Sequence, residues 1–128
     1  MDPKDLRFTK THEWVHLDGD VATIGISRFA VDQLTDLIMI DLPSVGSKLS
    51  RGKNFGEIES VKAVSDLYAP VGGEVVAVND EVKDNVQLLA EDPYDKGWLI
   101  KIKVNDPSAA ASLMDHDAYQ KKVAEEAH

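Results

Sequence analysis

Between Phe55 and Glu59 the chain alternates. Phe55 and Ile58 are apolar, while Glu57 and Glu59 lie on either side of Ile58. A period of two gives a strand with one buried face and one wet face. Asn54 leads into this strand, and Ser60-Val61 leads out of it to a tight turn at Lys62-Ala63. Val64, Leu67, Tyr68 and Ala69 then carry the chain to Pro70, so the segment reads as a hairpin with Lys62 at its tip. Gly72-Gly73 opens a second turn into a strand at 74–78. Further strands are predicted at 13–17 and 21–25, joined by the hairpin signal Asp18-Gly19-Asp20. Others fall at 37–42, ended by Pro43 and a turn over 43–46, and at 45–49. In 98–104 the residues Leu99, Ile100 and Ile102 alternate with lysines that face water.

Helical signals are fewer. Ser27 is placed to cap a short helix through Leu34, with Phe29, Ala30, Val31 and Leu34 on its apolar side. Residues 79–95 read as a polar loop. Asp106-Pro107-Ser108 opens a helical tail to His128, with proline near the first turn. Leu113, Met114, Tyr119 and Val123 give that tail a narrow stripe, enough to cover part of a sheet. Many short strands with frequent turns imply a mainly β sandwich or barrel, with a short internal helix and a C-terminal helical tail. The 128 residues read as one domain, strand-rich from about 7 to 104 and helical from about 106 to 126.

Charge narrows the partners. The net charge of −9 and pI near 4.7 argue against nucleic acid, whose phosphates require clustered cations. They fit a protein that docks on basic patches of others, and they also fit plain solubility. The absence of cysteine excludes disulfides, thiolate metal sites and a cysteine nucleophile. No apolar run is long enough to span a membrane. Met1-Asp2-Pro3-Lys4-Asp5 is unlike an arginine-rich presequence, so a cytoplasmic or already processed chain is expected.

Candidate chemistry is sparse. Lys62 reads either as a solubilising lysine in a turn or as a fixed handle for a covalent cofactor. Glu57 and Glu59 point to one face of a strand, as an acid–base pair or simply as its wet side. The four histidines, His12, His16, His116 and His128, lack the spacing of a helical metal site. No phosphate-cradling loop or Gly-x-Ser-x-Gly elbow occurs.

Several fragments then line up in order. His12-Glu13-Trp14-Val15 and Val21-Ala22-Thr23-Ile24-Gly25-Ile26 come first, followed by Asp41-Leu42-Pro43-Ser44-Val45-Gly46. Next are Glu59-Ser60-Val61-Lys62-Ala63, Ser65-Asp66, Ala69-Pro70, Gly73-Glu74-Val75 and Asn79. Glu91-Asp92-Pro93-Tyr94 and Gly97-Trp98-Leu99-Ile100-Lys101 close the series. Over roughly residues 7 to 126 this order resembles the H-protein family of the glycine cleavage system. Departures are Thr35 after Leu34, where the family often has glycine, and Val86 and Ala90, where it often has proline and asparagine. They bear on helix ending and loop shape.

The resemblance implies a flattened barrel-sandwich hybrid of two similar halves and a non-catalytic, monomeric carrier. It implies lipoic acid joined by an amide to Lys62, with Glu59, Val61 and Ala63 read by the modifying enzyme, a lipoate ligase or an octanoyl/lipoyl transferase. Implied partners are a pyridoxal-phosphate glycine decarboxylase, a folate-dependent aminomethyltransferase and a dihydrolipoyl dehydrogenase, in a bacterial cytoplasm or a mitochondrial matrix. Thr11, Glu13 and Asp66 are the implied border of a cleft for the loaded arm. Other readings of Lys62 are a lipoyl relay to 2-oxoacid dehydrogenase complexes, a biotin carrier lacking the usual Met-Lys-Met surroundings, or an unmodified acidic adaptor.

Overall fold

The computed structural model describes residues 2–34 and 36–126. Its strands are β1 (Arg7–Phe8), β2 (Glu13–Asp18), β3 (Val21–Ile26), β4 (Leu37–Asp41), β5 (Lys48–Leu49), β6 (Asn54–Ser60), β7 (Val64–Tyr68), β8 (Gly73–Val78) and β9 (Ile100–Val104). The α-helices are α1 (Arg28–Leu34), α2 (Asp80–Asp84), α3 (Leu88–Glu91) and α4 (His116–Glu126), with 3₁₀ turns at Pro3–Asp5 and Pro107–Ser112.

Two antiparallel sheets form, one in the order β1-β2-β3-β9-β8-β5 and one in the order β4-β6-β7. The expectation of a mainly β sandwich with a short internal helix and a helical tail matches this architecture. The main core includes Ile24, Ile58, Leu67, Val75, Leu89, Leu99 and Ile102. A second cluster of Leu6, Phe8, Trp14 and Tyr119 sits where the tail meets β1 and β2. Trp14 lies opposite Gly25, where a Cβ would come within 2.3 Å of the indole, so only glycine admits the ring. Its indole N–H donates to the Pro93 carbonyl at 3.0 Å.

The hairpin turn at Asp18-Gly19-Asp20 forms with Gly19 in the left-handed region (φ 64°), and β6 and β7 pair as the lysine hairpin. Ser27 precedes α1 as expected, its carbonyl accepting from Val31 N–H.

Three expectations are corrected. The strand expected over 45–49 is reduced to Lys48–Leu49, because Gly46 takes φ 93° and Ser47 N–H closes a turn on the Ser44 carbonyl. The polar loop expected over 79–95 contains α2 and α3: Asn79 caps α2 through its side chain, and Val82 and Leu89 are buried inward. In α2 Val82 stands alone among charged residues, so its apolar position was hidden. The single helical tail is two pieces. After the 3₁₀ turn the chain extends, and Phe8 and Met114 exchange backbone hydrogen bonds (2.8 and 3.0 Å) before α4 begins. This bridge adds to β1, a strand the sequence did not signal, which pairs with β2 at Arg7–Val15 and Phe8–Trp14. The predicted end of the tail at His128, and Thr35, lie outside the described residues. Finally, a bulge between Leu37 and Met39 leaves both Ile38 and Met39 facing solvent.

Gly73 refines the turn reading. It is not left-handed, but a strand residue whose added Cβ would lie 2.1 Å from the Lys103 carbonyl oxygen of β9. Gly73→Val is therefore expected to lose about 3 kcal/mol or more by forcing β8 from β9. Lys62→Ala, at an exposed tip, should stay within about half a kcal/mol of the parent. Urea melts of the two variants check the contrast, and equal losses would contradict it.

Candidate functional site

The lysine hairpin is tight because Ser60 closes it three ways. Ser60 N–H and Ser60 Oγ both donate to the Ala63 carbonyl (2.8 and 3.1 Å), and Ala63 N–H donates back to Ser60 Oγ at 3.2 Å. Val61 N–H donates to the carbonyl of Asp36, which anchors the tip to the start of β4. With the backbone pinned, Val61, Lys62 and Ala63 are all exposed. Lys62 forms no side-chain hydrogen bond or ion pair among the described residues. Glu59 is half-buried, opposite Val64 on β7 and Met39 on β4. Glu57 is exposed in a cross-strand row with Asp41 and Asp66, three carboxylates abreast. Like charges so placed repel, which keeps this face wet and strongly acidic. Neither Glu57 nor Glu59 lines the two cavities near Glu13.

Glu13 is the unusual group. It is only 1% exposed, yet acidic. Its Oε1 accepts from Thr9 Oγ1 at 2.7 Å and from Thr11 Oγ1 through a short bond, and its Oε2 accepts from Tyr68 N–H at 3.4 Å. Tyr68 ends β7, the edge of the smaller sheet, so this one carboxylate ties the two sheets together. Among the described residues no cation pairs with it. Burial pushes the Glu13 carboxyl above its ordinary value, and the hydrogen bonds from Thr11, Thr9 and Tyr68 offset only part of that push.

Thr11, Glu13 and Asp66 come together on one cavity of about 280 Å³, walled also by Phe29, Leu34 and Glu126. Thr11 and Glu13 also border a larger groove of about 610 Å³ along Phe8, Tyr68 and Met114. Asp66 is exposed at the rim, and its carboxylate accepts from the Tyr68 hydroxyl at 3.4 Å. Sequence reasoning missed Thr9, the Tyr68 amide and Glu126, and weighed His12 only as a metal ligand. Two threonines just before Glu13 were the one local signal; the rest arrives from distant segments. No cluster of metal-ligating side chains occurs among the described residues, and His128 lies outside them. No helix among them is long and apolar enough to cross a membrane.

These groups make stability depend on pH with opposite signs. Glu13 has a raised carboxyl, so the folded form binds its proton more tightly, and stability falls as pH rises from the ordinary value of 4.5 through the raised one. Burial lowers His12 below 6.5, so its contribution is complete above 6.5 and is lost as pH falls toward the lowered value. Glu13→Gln should gain Tm relative to the parent across the first window and hold a constant difference above it. His12→Asn should lose the rise on the second. Thermal melts from about pH 4 to 8 test both, and a Glu13→Gln curve parallel to the parent contradicts the assignment.

Comparison with known proteins accounts for the arrangement. Residues 6–126 match the family model for the glycine cleavage H-protein. The chain is 52% identical over 121 residues to the glycine cleavage system H protein of Acaryochloris marina, covering 94% of each chain. It is 48% identical over 124 residues to that of Carboxydothermus hydrogenoformans, covering 97% of this chain and 95% of the relative. A crystal structure of a glycine cleavage system H protein from Mycobacterium marinum superposes with a TM-score of 0.87 at 37% identity, over 94% of this chain and 98% of that one. A buried carboxylate tying two sheets beside a rigid lysine hairpin thus stands in a chain that belongs to the glycine cleavage H-protein family, the lipoyl-bearing, non-catalytic carriers of that system.

Proposed function

We propose that Lys62 is the lysine that carries the lipoyl group, and that the cavity at Thr11, Glu13 and Asp66 receives the arm's cargo. The observation that supports the attachment point is the hairpin tip: Lys62 is exposed, unpartnered among the described residues, and held on a backbone closed by Ser60. Its amine is free to be acylated, and Val61 and Ala63 beside it leave room for a modifying enzyme, a lipoate ligase or an octanoyl/lipoyl transferase. Glu59, adjacent along β6, is the first recognition contact we assign to that enzyme.

When bound, the lipoyl disulfide accepts the aminomethyl unit of glycine on sulfur and is later reoxidised. The chain supplies the geometry. Asp66 lies four residues from Lys62, about 13 Å along an extended strand, which places the rim of the cavity within the compass of a long flexible arm. A tethered arm turns successive encounters with enzymes into local events at high effective concentration. The aminomethyl cargo is cationic and is lost to water as ammonia and formaldehyde, so a retaining site needs acceptors and shelter. Glu13 supplies a buried carboxylate, Thr11 a hydroxyl and Asp66 a second carboxylate at the mouth. A buried carboxylate with no cation beside it costs stability, a cost that an incoming ammonium offsets.

The partners we assign are a pyridoxal-phosphate glycine decarboxylase, a folate-dependent aminomethyltransferase and a dihydrolipoyl dehydrogenase, met by a monomer through its acidic face. The cytoplasm of a bacterium is the compartment assigned. The Asp41–Glu57–Asp66 row is suited to basic surfaces on such enzymes.

Lys62→Arg keeps the charge but removes the acylable amine. Incubated with a lipoate ligase, ATP and lipoate, the parent should gain one lipoyl mass and Lys62→Arg none; a gain on the variant refutes the attachment site. Glu13→Gln and Asp66→Asn should be lipoylated at the parent rate, yet release ammonia from the methylamine-loaded form several-fold faster when no aminomethyltransferase is present. Parent lifetimes in both would remove these carboxylates from the cargo site.

A further inference from the structure

The turn that carries Thr9 and Thr11 to Glu13 is held in an unfavourable shape. His12 has φ 75°, the left-handed region that a residue with a Cβ seldom occupies. Thr9 N–H donates to the Glu13 carbonyl and His12 N–H to the Thr9 carbonyl, so the loop closes on itself around this residue. A strained turn persists only where its surroundings hold it, and here the fastening comes from the far end of the chain. His12 Nδ1 lies 2.7 Å from the Tyr119 hydroxyl, and His12 Nε2 lies 3.0 Å from Glu126. Both partners are on α4. The imidazole packs on Phe29 (centroids 5.0 Å apart) and edge-on to Tyr119 at 70°. The His12 carbonyl accepts from Ser27 N–H at 2.9 Å, and Ser27 Oγ is 2.6 Å from the Tyr119 hydroxyl.

The partners favour one proton placement along this chain. Burial keeps the Tyr119 phenol protonated far above its ordinary range, and burial lowers the His12 imidazole, leaving it neutral. A neutral ring with hydrogen on Nε2 then accepts from Tyr119 at Nδ1 and donates to the Glu126 carboxylate, which Lys122 also holds. Apolar packing also seats the tail. Tyr119 already stacks on Phe8 with centroids 4.3 Å apart inside the Leu6, Phe8, Trp14 and Tyr119 cluster, where a phenyl ring would pack as well. The polar chain runs instead to the cavity, which His12 and Glu126 both line beside Glu13.

We propose that His12 is a positioning residue for Glu13, and that α4 is the clasp that holds it there through Tyr119 and Glu126. Released from the clasp, the turn relaxes toward ordinary backbone angles, and the Thr9 and Thr11 hydroxyls leave the Glu13 carboxylate. The buried acid then takes up a proton more readily and loses the charge that favours a cationic cargo. The role in cargo retention rests on the reading of the cavity given above; the positioning of Glu13 does not.

The unlipoylated protein provides the first test, through the titration of the Glu13 side-chain carboxyl followed by carbon NMR and the amide exchange of residues 9–13. Tyr119→Phe keeps the ring and removes the hydroxyl. It should raise the Glu13 titration further and speed exchange of the turn several-fold. Glu126→Gln, at the exposed end of the clasp, should do the same to a smaller degree and cannot unfold the core. His12→Asn, which tolerates the left-handed region and retains polar side-chain atoms for the Tyr119 hydroxyl, should stay nearer the parent than His12→Ala. Parent titration and exchange in both Tyr119→Phe and Glu126→Gln overturn the clasp, whatever their melting temperatures. Loaded-form lifetimes then separate the two readings. Tyr119→Phe should shorten the lifetime, and the double variant with Glu13→Gln should be no shorter-lived than Glu13→Gln alone. Additive losses overturn action through Glu13. A parent lifetime in Glu13→Gln, together with a Glu13 titration that Tyr119→Phe moves in the chain that keeps Glu13, overturns the cavity reading and leaves the positioning role intact.

Discussion

The buried carboxylate of Glu13 is the constraint around which this molecule is arranged. An ionised acid removed from water is costly unless hydrogen bonds replace its hydration, and bonds to a charged group contribute about 1.5–3 kcal/mol each. Three donors come from two places: Thr9 and Thr11 in a local turn, and the backbone amide of Tyr68 at the edge of the other sheet. Satisfying one residue therefore fixes the approach of β2 to β7. It also explains a left-handed histidine in a loop that could have been simpler, because only that loop presents both hydroxyls.

Around this contact the fold divides its labour. The six-stranded sheet and its core provide rigidity, and the smaller sheet carries the lysine hairpin away from it. Hairpin and cavity are joined by β7, which begins just after Lys62 and ends at Tyr68, whose amide reaches Glu13. One short edge strand links the exposed Lys62 tip to the cavity, so their separation is set by strand geometry and not by a mobile loop.

The tail is part of the same arrangement. Its 3₁₀ turn and extended bridge to Phe8 steer α4 across β1 and β2, where Tyr119 closes the second cluster and reaches Ser27 and His12. The molecule thus uses its last helix to brace its first loop. Such a contact between chain ends is what a small β fold with few long elements has available to rigidify a site.

The hairpin with Lys62, the β2–β3 pair, α1 and the mainly β class were legible in the sequence, because each is encoded locally by alternation, turn residues or a cap. The family was legible too, since its motifs are short and stand in order. What the sequence hid were features made by long-range contact. Strand β1 pairs with β2 and takes Met114 of the distant tail as a further bridge at Phe8, and α2 and α3 fold where Val82 and Leu89 find a core that no periodicity announced. Gly73 was legible as a special position, but its reason is the Lys103 carbonyl of a strand nearly thirty residues on. Glu13 was named from the resemblance as a cleft residue, but its near-complete burial, with the Tyr68 amide of the other sheet among its donors, was not legible locally. The sequence by itself determined the main hairpins, the exposed turn at Lys62 and the family, because those depend on neighbours a few residues apart. Only the tertiary structure decided which polar groups share a dry space, because hydrogen bonds to Glu13 and His12 are drawn from segments 55 to more than 100 residues away.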